Sequence, residues 1–173
     1  MIKLNVADIP AKAKTLKAGD AILLSGEIIC ARDAAHKRFF ELLDAGKPLP
    51  FEPKGAVIYY AGPTPARPGA VIGSCGPTTS ARMDAFTPRM LDLGVCATIG
   101  KGKRSDEVLS AMLRHGAPYF CAIGGAGALA SKCIVKSEVI AFEELGCEAV
   151  RRMTFEDFPL IVGIDAMGNS VLK

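Results

Sequence analysis

No tryptophan occurs in the 173 residues, and aromatic side chains make up only 6% of them. Apolar residues come in short runs such as AILL (21–24) and LIVGI (160–164). None approaches the ~18 residues that a membrane-spanning helix needs, so no membrane role is expected. The first twenty residues, MIKLNVADIPAKAKTLKAGD, lack the apolar core of a secretory signal, which leaves the cytoplasm as the expected setting. There is no CxxC pair and no paired histidine, so zinc-type spacing is missing. The cysteines stand singly at Cys30, Cys75, Cys96, Cys121, Cys133 and Cys147 and are expected to be reduced thiols that pack as small hydrophobes. Basic residues exceed acidic ones by only 21 − 18 = +3 without clustering, too weak a footprint for nucleic acid. No repeat, low-complexity tract or long linker divides the chain, so residues 1–173 are expected to form one domain. Half of the residues are hydrophobic and 23% are charged. That balance rules out disorder, and a chain of this length buries roughly 70% of its unfolded surface.

Apolar strand-like runs alternate with segments of helical period. Residues 1–24 read as extended, with a strand at Ala21–Leu24 and a second short one at Glu27–Cys30. From Ala31 to Asp44 the period becomes helical, with Ala35, Phe39, Leu42 and Leu43 on one stripe and Gly46 as a stop. Strands are expected at Ala56–Ala61, Ala70–Gly73, Val95–Ile99, Tyr119–Ile123, Ile134–Ala141 and Leu160–Asp165. A helix over Thr79–Leu93 would turn Met83, Phe86, Met90 and Leu93 inward, with Pro88 kinking it or restarting it behind Thr87. Ser105 caps another helix, whose first turn carries Asp106 and Glu107 and which ends at His115 and Gly116. Alternation of this kind defines an α/β class with a largely parallel or mixed sheet.

Four segments carry the candidate chemistry. The first, GSCGPTTSARMD (73–84), lies between a strand and a helix, where free backbone N–H groups favour an anion. Thr78, Thr79 and Ser80 add hydroxyls there, and Arg82 adds a fork for a carboxylate. The second, RDAAHKR (32–38), places Arg32 and His36 one helical turn apart. His36 has a pKa suited to proton transfer, while Lys37 and Arg38 read as a solvated face. In the third, IGKGKR (99–104), Lys101 follows a strand at the sheet's carboxyl edge, where α/β proteins place ligands. Lys103 and Arg104 read as a flexible basic loop. The fourth, GGAGA (124–128), lacks both the P-loop Lys-Ser/Thr and GxGxxG spacing, so its small residues are assigned to close helix packing. Three basic side chains and a hydroxyl-rich turn suit a small dicarboxylate, and no nucleophile–base–acid triad stands out.

The motifs RDAAHKR, IYYAGP, CGPTTSARMD, IGKGKRS and EDFPLIVGIDAMGN occur in this order. Over nearly its whole length the chain thereby resembles the β subunit of two-subunit class I fumarate hydratases, and the L-tartrate dehydratase β subunit is similar. The resemblance implies a swivelling β/β/α domain of three layers that closes over a partner α subunit. That partner would hold a 4Fe-4S cluster, none being bound by this chain alone. It implies a hydro-lyase of the tricarboxylic acid cycle that reversibly hydrates fumarate to malate. Arg32, Arg82 and Lys101 would bind the substrate carboxylates, and Thr78, Thr79 and Ser80 would line the pocket with hydroxyls and N–H groups. Thr78 would be the base acting on the substrate carbon, although a hydroxyl is a poor base unless its neighbours lower its pKa. His36 would transfer a proton or orient a neighbour, and an aspartate of the partner would act from the opposite face. TTSAR leans toward the tartrate enzyme, whereas RDAAHKR and RMD lean toward fumarase. The expectation is therefore a fumarate hydratase β subunit. Tartrate dehydration and a stand-alone dicarboxylate-binding module are the alternatives, and self-association is left open.

Overall fold

Successive side chains of a strand point to opposite faces, and residues 57–60 divide in this way. Val57 and Tyr59 enter one apolar core, while Ile58 and Tyr60 enter another. In the computed structural model, which describes residues 1–123 and 127–172, the strands are β1 (Ile2–Asn5), β2 (Ala21–Cys30), β3 (Val57–Tyr59), β4 (Ala97–Gly100), β5 (Tyr119–Ala122), β6 (Ile134–Ala141) and β7 (Val150–Ile164). The helices are α1 (Ile9–Lys12), α2 (Asp33–Asp44), α3 (Thr87–Asp92), α4 (Asp106–His115) and α5 (Gly127–Cys133). β1 to β5 run parallel in order. β7 is antiparallel to β5, β2 and β6. Because β7 pairs with both β5 and β2, strands β2, β3, β4, β5 and β7 close on themselves as a ring.

One core gathers Ile22, Leu24, Ile28, Tyr59, Ile99, Phe120, Phe155 and Leu160 from ring strands. The other packs Phe39 of α2, Met90 of α3 and Val108 of α4 against Ile29, Ile58 and Tyr119. The α/β class and the mixed sheet are as the sequence implies. The local helix signals also hold. Ser105 Oγ accepts from Val108 N at the head of α4, and Gly116 closes its tail at φ 62°.

Five segments differ from expectation. Residues 6–15, expected to be extended, form 3₁₀ turns around the short helix α1, and the strand expected at Leu160–Asp165 is the end of the much longer β7. The two short strands of residues 21–30 are one strand, bent between Leu24 and Gly26. Gly26 has φ +126°, and a Cβ there would meet Val6 Cβ at 3.0 Å, so the bend depends on glycine. No strand forms over Ala70–Gly73. Gly73 instead turns back on Thr64, donating to its carbonyl at 3.2 Å, while Ser74 N donates to Thr64 Oγ1 at 2.8 Å. The helix expected over Thr79–Leu93 splits into a 3₁₀ turn, Ser80–Met83, and α3, whose N-cap is Phe86 rather than Thr87. Thr87 lies inside α3, where its hydroxyl donates to Met83 O at 2.9 Å.

The parallel strands aim their carboxyl ends at one edge, which carries residues 31–32, 60–86 and 101–105. Residues 124–126 of GGAGA lie outside the described residues. The neighbouring Gly127 accepts a bond from Cys75 N at 3.1 Å, and its own Cβ would meet Gly76 N at 3.1 Å. Close packing against the 75–76 turn therefore needs a small residue there.

Candidate functional site

Arg32 follows β2 directly and occupies the N-cap position of α2. Its shaft crosses Gly62, where a Cβ would meet Arg32 Cδ at 3.1 Å and Nη1 at 3.2 Å. The Nε of Arg32 lies 3.2 Å from Asp33 Oδ2 and 3.3 Å from Glu148 Oε1. Arg82, on the 3₁₀ turn, donates its Nε to Asp33 Oδ1 at 2.8 Å. One carboxylate thus bridges the two arginines. Burial alone would raise the Asp33 pKa, but its backbone hydrogen bond, the Arg32 hydrogen bond and the charges of Arg82 and Arg32 together hold it below the usual aspartate value.

The turn that carries the hydroxyls is joined to the Lys101 loop. Thr79 forms a parallel bridge with Lys101, and Ser80 N donates to Lys101 O at 2.9 Å. Thr78 N donates to Tyr60 O at 2.7 Å. Thr78 is half-buried, whereas Thr79, Arg82 and Lys101 are exposed. Arg32, Thr78, Thr79, Arg82 and Lys101 therefore gather at the strand ends on an open face. A separate cavity of 570 Å³ lined by Leu91, Cys96 and His115 opens at the opposite, amino end of β4.

Two expectations about this site change. Ser80 is fully buried, and its hydroxyl lies 2.8 Å from the Tyr119 hydroxyl, which donates to Gly102 O at 3.0 Å. Gly100 makes the room, since a Cβ there would collide with Ser80 Oγ. Ser80 is a latch between the turn and the loop, with neither hydroxyl nor N–H open to a ligand. The N–H of Thr78 is likewise committed, and a 3₁₀ turn of four residues has no useful dipole. The Thr78 and Ser80 N–H groups are thus both taken up within the fold.

His36 is the second change. It is fully buried on α2, with its ring among Phe39, Tyr60 and Phe86 at centroid distances of 5.3, 5.7 and 5.6 Å. Its Nδ1 lies 2.8 Å from Arg32 O, and its Nε2 has no hydrogen-bond partner among the described residues. Burial lowers its pKa to about 4, with the Arg104 charge acting in the same direction and Asp33 opposing it. A buried neutral ring does not reach the open face, so of the two roles expected for His36 its placement fits orienting the Arg32 backbone rather than proton transfer.

The fold loses stability as pH falls from 6.5 toward 4, because the unfolded chain takes up the His36 proton first. The shift to about 4 corresponds to about 3 kcal/mol. In His36→Asn, which keeps a donor for Arg32 O and has no titrating group, denaturant midpoints measured between pH 4 and 7 should be visibly flatter than in the wild type.

Sequence reasoning missed Arg104. Read as part of a flexible loop, its side chain is completely enclosed and salt-bridged to Asp84 at 2.7 Å. It also donates to Thr98 Oγ1 at 3.0 Å and to Thr87 Oγ1 at 2.7 Å, and it lies between the Tyr60 and Tyr119 rings, 5.3 and 5.0 Å from their centroids. Asp84 Oδ2 in turn accepts from Ser105 N at 2.8 Å. This clamp fastens the Lys101 loop to the turn bearing Thr79 and Arg82. Asp33 and Glu148 were also missed. No local signal marks Glu148, whereas Asp33 stood beside Arg32 in the motif already singled out.

Cys30 and Cys75 lie side by side, and the other cysteines stand apart from them. Cys30 and Cys75 are buried, Cys96, Cys121 and Cys133 are half-buried, and Cys147 is exposed. A hydrogen bond with Cys75 and then burial push the Cys30 thiol up, and burial raises Cys96 to about 11, so these are protonated thiols. Among the described residues no three His, Cys, Asp or Glu side chains lie close enough to hold a metal ion. Among the described residues, then, the chain gathers no three-ligand set of its own for a cluster.

The family model "Fumarase C-terminus" matches residues 1–173. "Fumarate hydratase class I, anaerobic" of Escherichia coli (strain K12) is 40% identical over 168 residues, covering 96% of this chain and 31% of that protein. "Fumarate hydratase 2" of Leishmania major is 41% identical over 155 residues, 88% of this chain and 27% of that protein. The chain thus spans about a third or less of these relatives. "Putative L(+)-tartrate dehydratase subunit beta" of Methanocaldococcus jannaschii is 38% identical over 177 residues, covering 99% of this chain and 89% of that subunit. Matched from its first residue to its last, the chain belongs to the Fumarase C-terminus family.

Proposed function

We propose that this chain is the β-type half of an iron–sulfur hydro-lyase that reversibly adds water across fumarate to give malate. The observation that carries the reading is the open face on which the Asp33-bridged pair Arg32 and Arg82 meets Thr78, Thr79 and Lys101. Three cations around a half-buried hydroxyl suit a dicarboxylate, and an open face suits a site that a second chain completes. In this reading the terminal N–H groups of Arg32 and Arg82 and the Lys101 ammonium hold the substrate carboxylates. The Thr78 hydroxyl lies against the carbon that loses a proton in dehydration and gains one in hydration. The acid that acts on the opposite face and the cluster are assigned to an α-type partner.

Residues 1–173 then form one swivelling β/β/α domain, and the two cores on either side of the parallel strands support three layers. Protonated, unpaired thiols fit a reducing, cytoplasmic setting. No helix among the described residues is long and apolar enough to cross a membrane.

Dehydration of tartrate is the second reading, favoured by the 89% coverage of the M. jannaschii subunit. Comparing the two substrates on the anaerobically reconstituted complex decides between them. Higher kcat/KM on fumarate or malate is expected, and a preference for tartrate would replace the first reading with the second.

A further inference from the structure

Arg32 stands next to Asp33 in the chain and Arg82 is 49 residues from it, and each turns its Nε edge to a different oxygen of Asp33, at 3.2 and 2.8 Å. A guanidinium held by its Nε edge still has its terminal N–H groups for another partner. The carboxylate is itself fixed. Asp33 is the first residue of α2, a position that favours a negative group, and its side chain is only 21% exposed. Arg32 is confined further by Glu148, whose Oε1 accepts from Ala34 N at 3.2 Å, and by the floor at Gly62. Arg82, with 55% of its side chain exposed, has Asp33 as its fixed point. An isolated surface pair would be worth little. Here one rigid carboxylate sets the relative position of two otherwise independent cations.

Resting on the dicarboxylate reading above, we infer that Asp33 is a positioning residue that sets the separation of the Arg32 and Arg82 guanidiniums, and with it the carboxylate spacing the site accepts. Asp33 touches no substrate and acts through the arginines. Charge and position make opposite predictions for its removal. Asp33→Asn makes the site more positive, so if Asp33 were only a counter-charge, a dianion would bind more tightly. If it positions the arginines, the dianion binds less tightly in spite of the added positive charge. Asp33→Glu keeps the charge but lengthens the arm by one methylene, so it rescues a counter-charge and not a position.

The test uses the complex reconstituted with its cluster-bearing partner, with malonate, succinate and glutarate as competitive probes of spacing. The full chain alone supplies ¹H–¹⁵N spectra of the arginine Nε–H groups. In Asp33→Asn, KM for fumarate should rise about ten- to hundred-fold, with kcat changed less and discrimination among the three probes reduced. Asp33→Glu should shift the preferred probe length. The Arg32 and Arg82 Nε–H signals should lose their carboxylate-bonded shifts in Asp33→Asn, while thermal midpoints stay close to wild type. Unchanged or lower KM with discrimination intact, or full rescue by Asp33→Glu, would overturn the inference. Should the wild-type complex fail to hydrate fumarate, the functional reading is what has failed. Titrating the three probes into wild-type and Asp33→Asn chains, read on the same Nε–H signals, then decides on Asp33. Equal probe selectivity in the two chains overturns it, and selectivity confined to the wild type supports it.

Discussion

Replacing Arg82 by alanine lowers kcat/KM for fumarate hydration by the reconstituted complex by about 10²-fold or more, the scale of losing a charge-assisted donor from an active site. The Arg82 side chain is 55% exposed, and among the described residues it hydrogen-bonds Asp33 through Nε at 2.8 Å. Its terminal N–H groups are the part of the side chain left for a ligand. Because the side chain stands at the surface of a short turn, its removal opens no core cavity, and the thermal midpoint should move little. Arg82→Lys separates charge from geometry. A lysine supplies a cation but no planar fork, so most of the loss should remain. Steady-state kinetics on the two variants, beside their melting curves, check the prediction. Activity close to wild type in Arg82→Ala would remove Arg82 from the site.

Arg104→Met should have the largest effect on stability. Arg104 and Asp84 form an enclosed pair at 2.7 Å, and the guanidinium also holds Thr98 and Thr87. Removing the cation leaves Asp84, only 13% exposed, with its charge facing the Ser105 N–H alone among the described residues. Breaking a buried pair in this way costs about 3–5 kcal/mol, and for a chain of this size each kcal/mol shifts the midpoint by about 2–4 °C. The loss should extend to function, since the clamp sits beneath the contact between Lys101 and the hydroxyl turn. Denaturant unfolding of Arg104→Met and of the double variant Arg104→Met/Asp84→Asn checks it. The double variant should be more stable than the single one, because the orphaned charge is gone. Equal stability of the single variant and the wild type would mean that the clamp holds nothing.

How far the sequence could be read follows the range of each signal. α4 was legible because its start and stop are local: a serine that caps the third N–H beyond it, and a glycine that takes the left-handed conformation. β3, β4 and β5 were legible as short apolar runs, although β3 is three residues shorter than its run and β4 and β5 are each one residue shorter. The single strand β2 was not, because Gly26 reads as a break and becomes a bulge only once β7 lies beside it. The length of β7 was hidden in the same way. Its polar first half, around Arg151 and Arg152, is strand because β2 and β6 flank it.

Arg32, Thr78, Thr79, Arg82 and Lys101 were singled out as candidates from their motifs, and the structure brings them to one face. The burial of Ser80, His36 and Arg104 was not legible, because burial is not a local property. A serine beside two exposed threonines, a histidine one turn from an arginine and an arginine in a glycine-rich loop all look accessible in sequence. Tyr119, Tyr60 and Asp84, the groups that enclose or engage them, come from elsewhere in the chain.

The claim that this chain supplies half of a hydro-lyase site is tested most directly by anaerobic fumarate hydration assays on the chain alone, on a cluster-bearing α-type partner alone, and on their equimolar mixture. Malate should form only in the mixture. Full activity from this chain without partner or iron, or none in a mixture that has assembled with its cluster intact, would contradict the account.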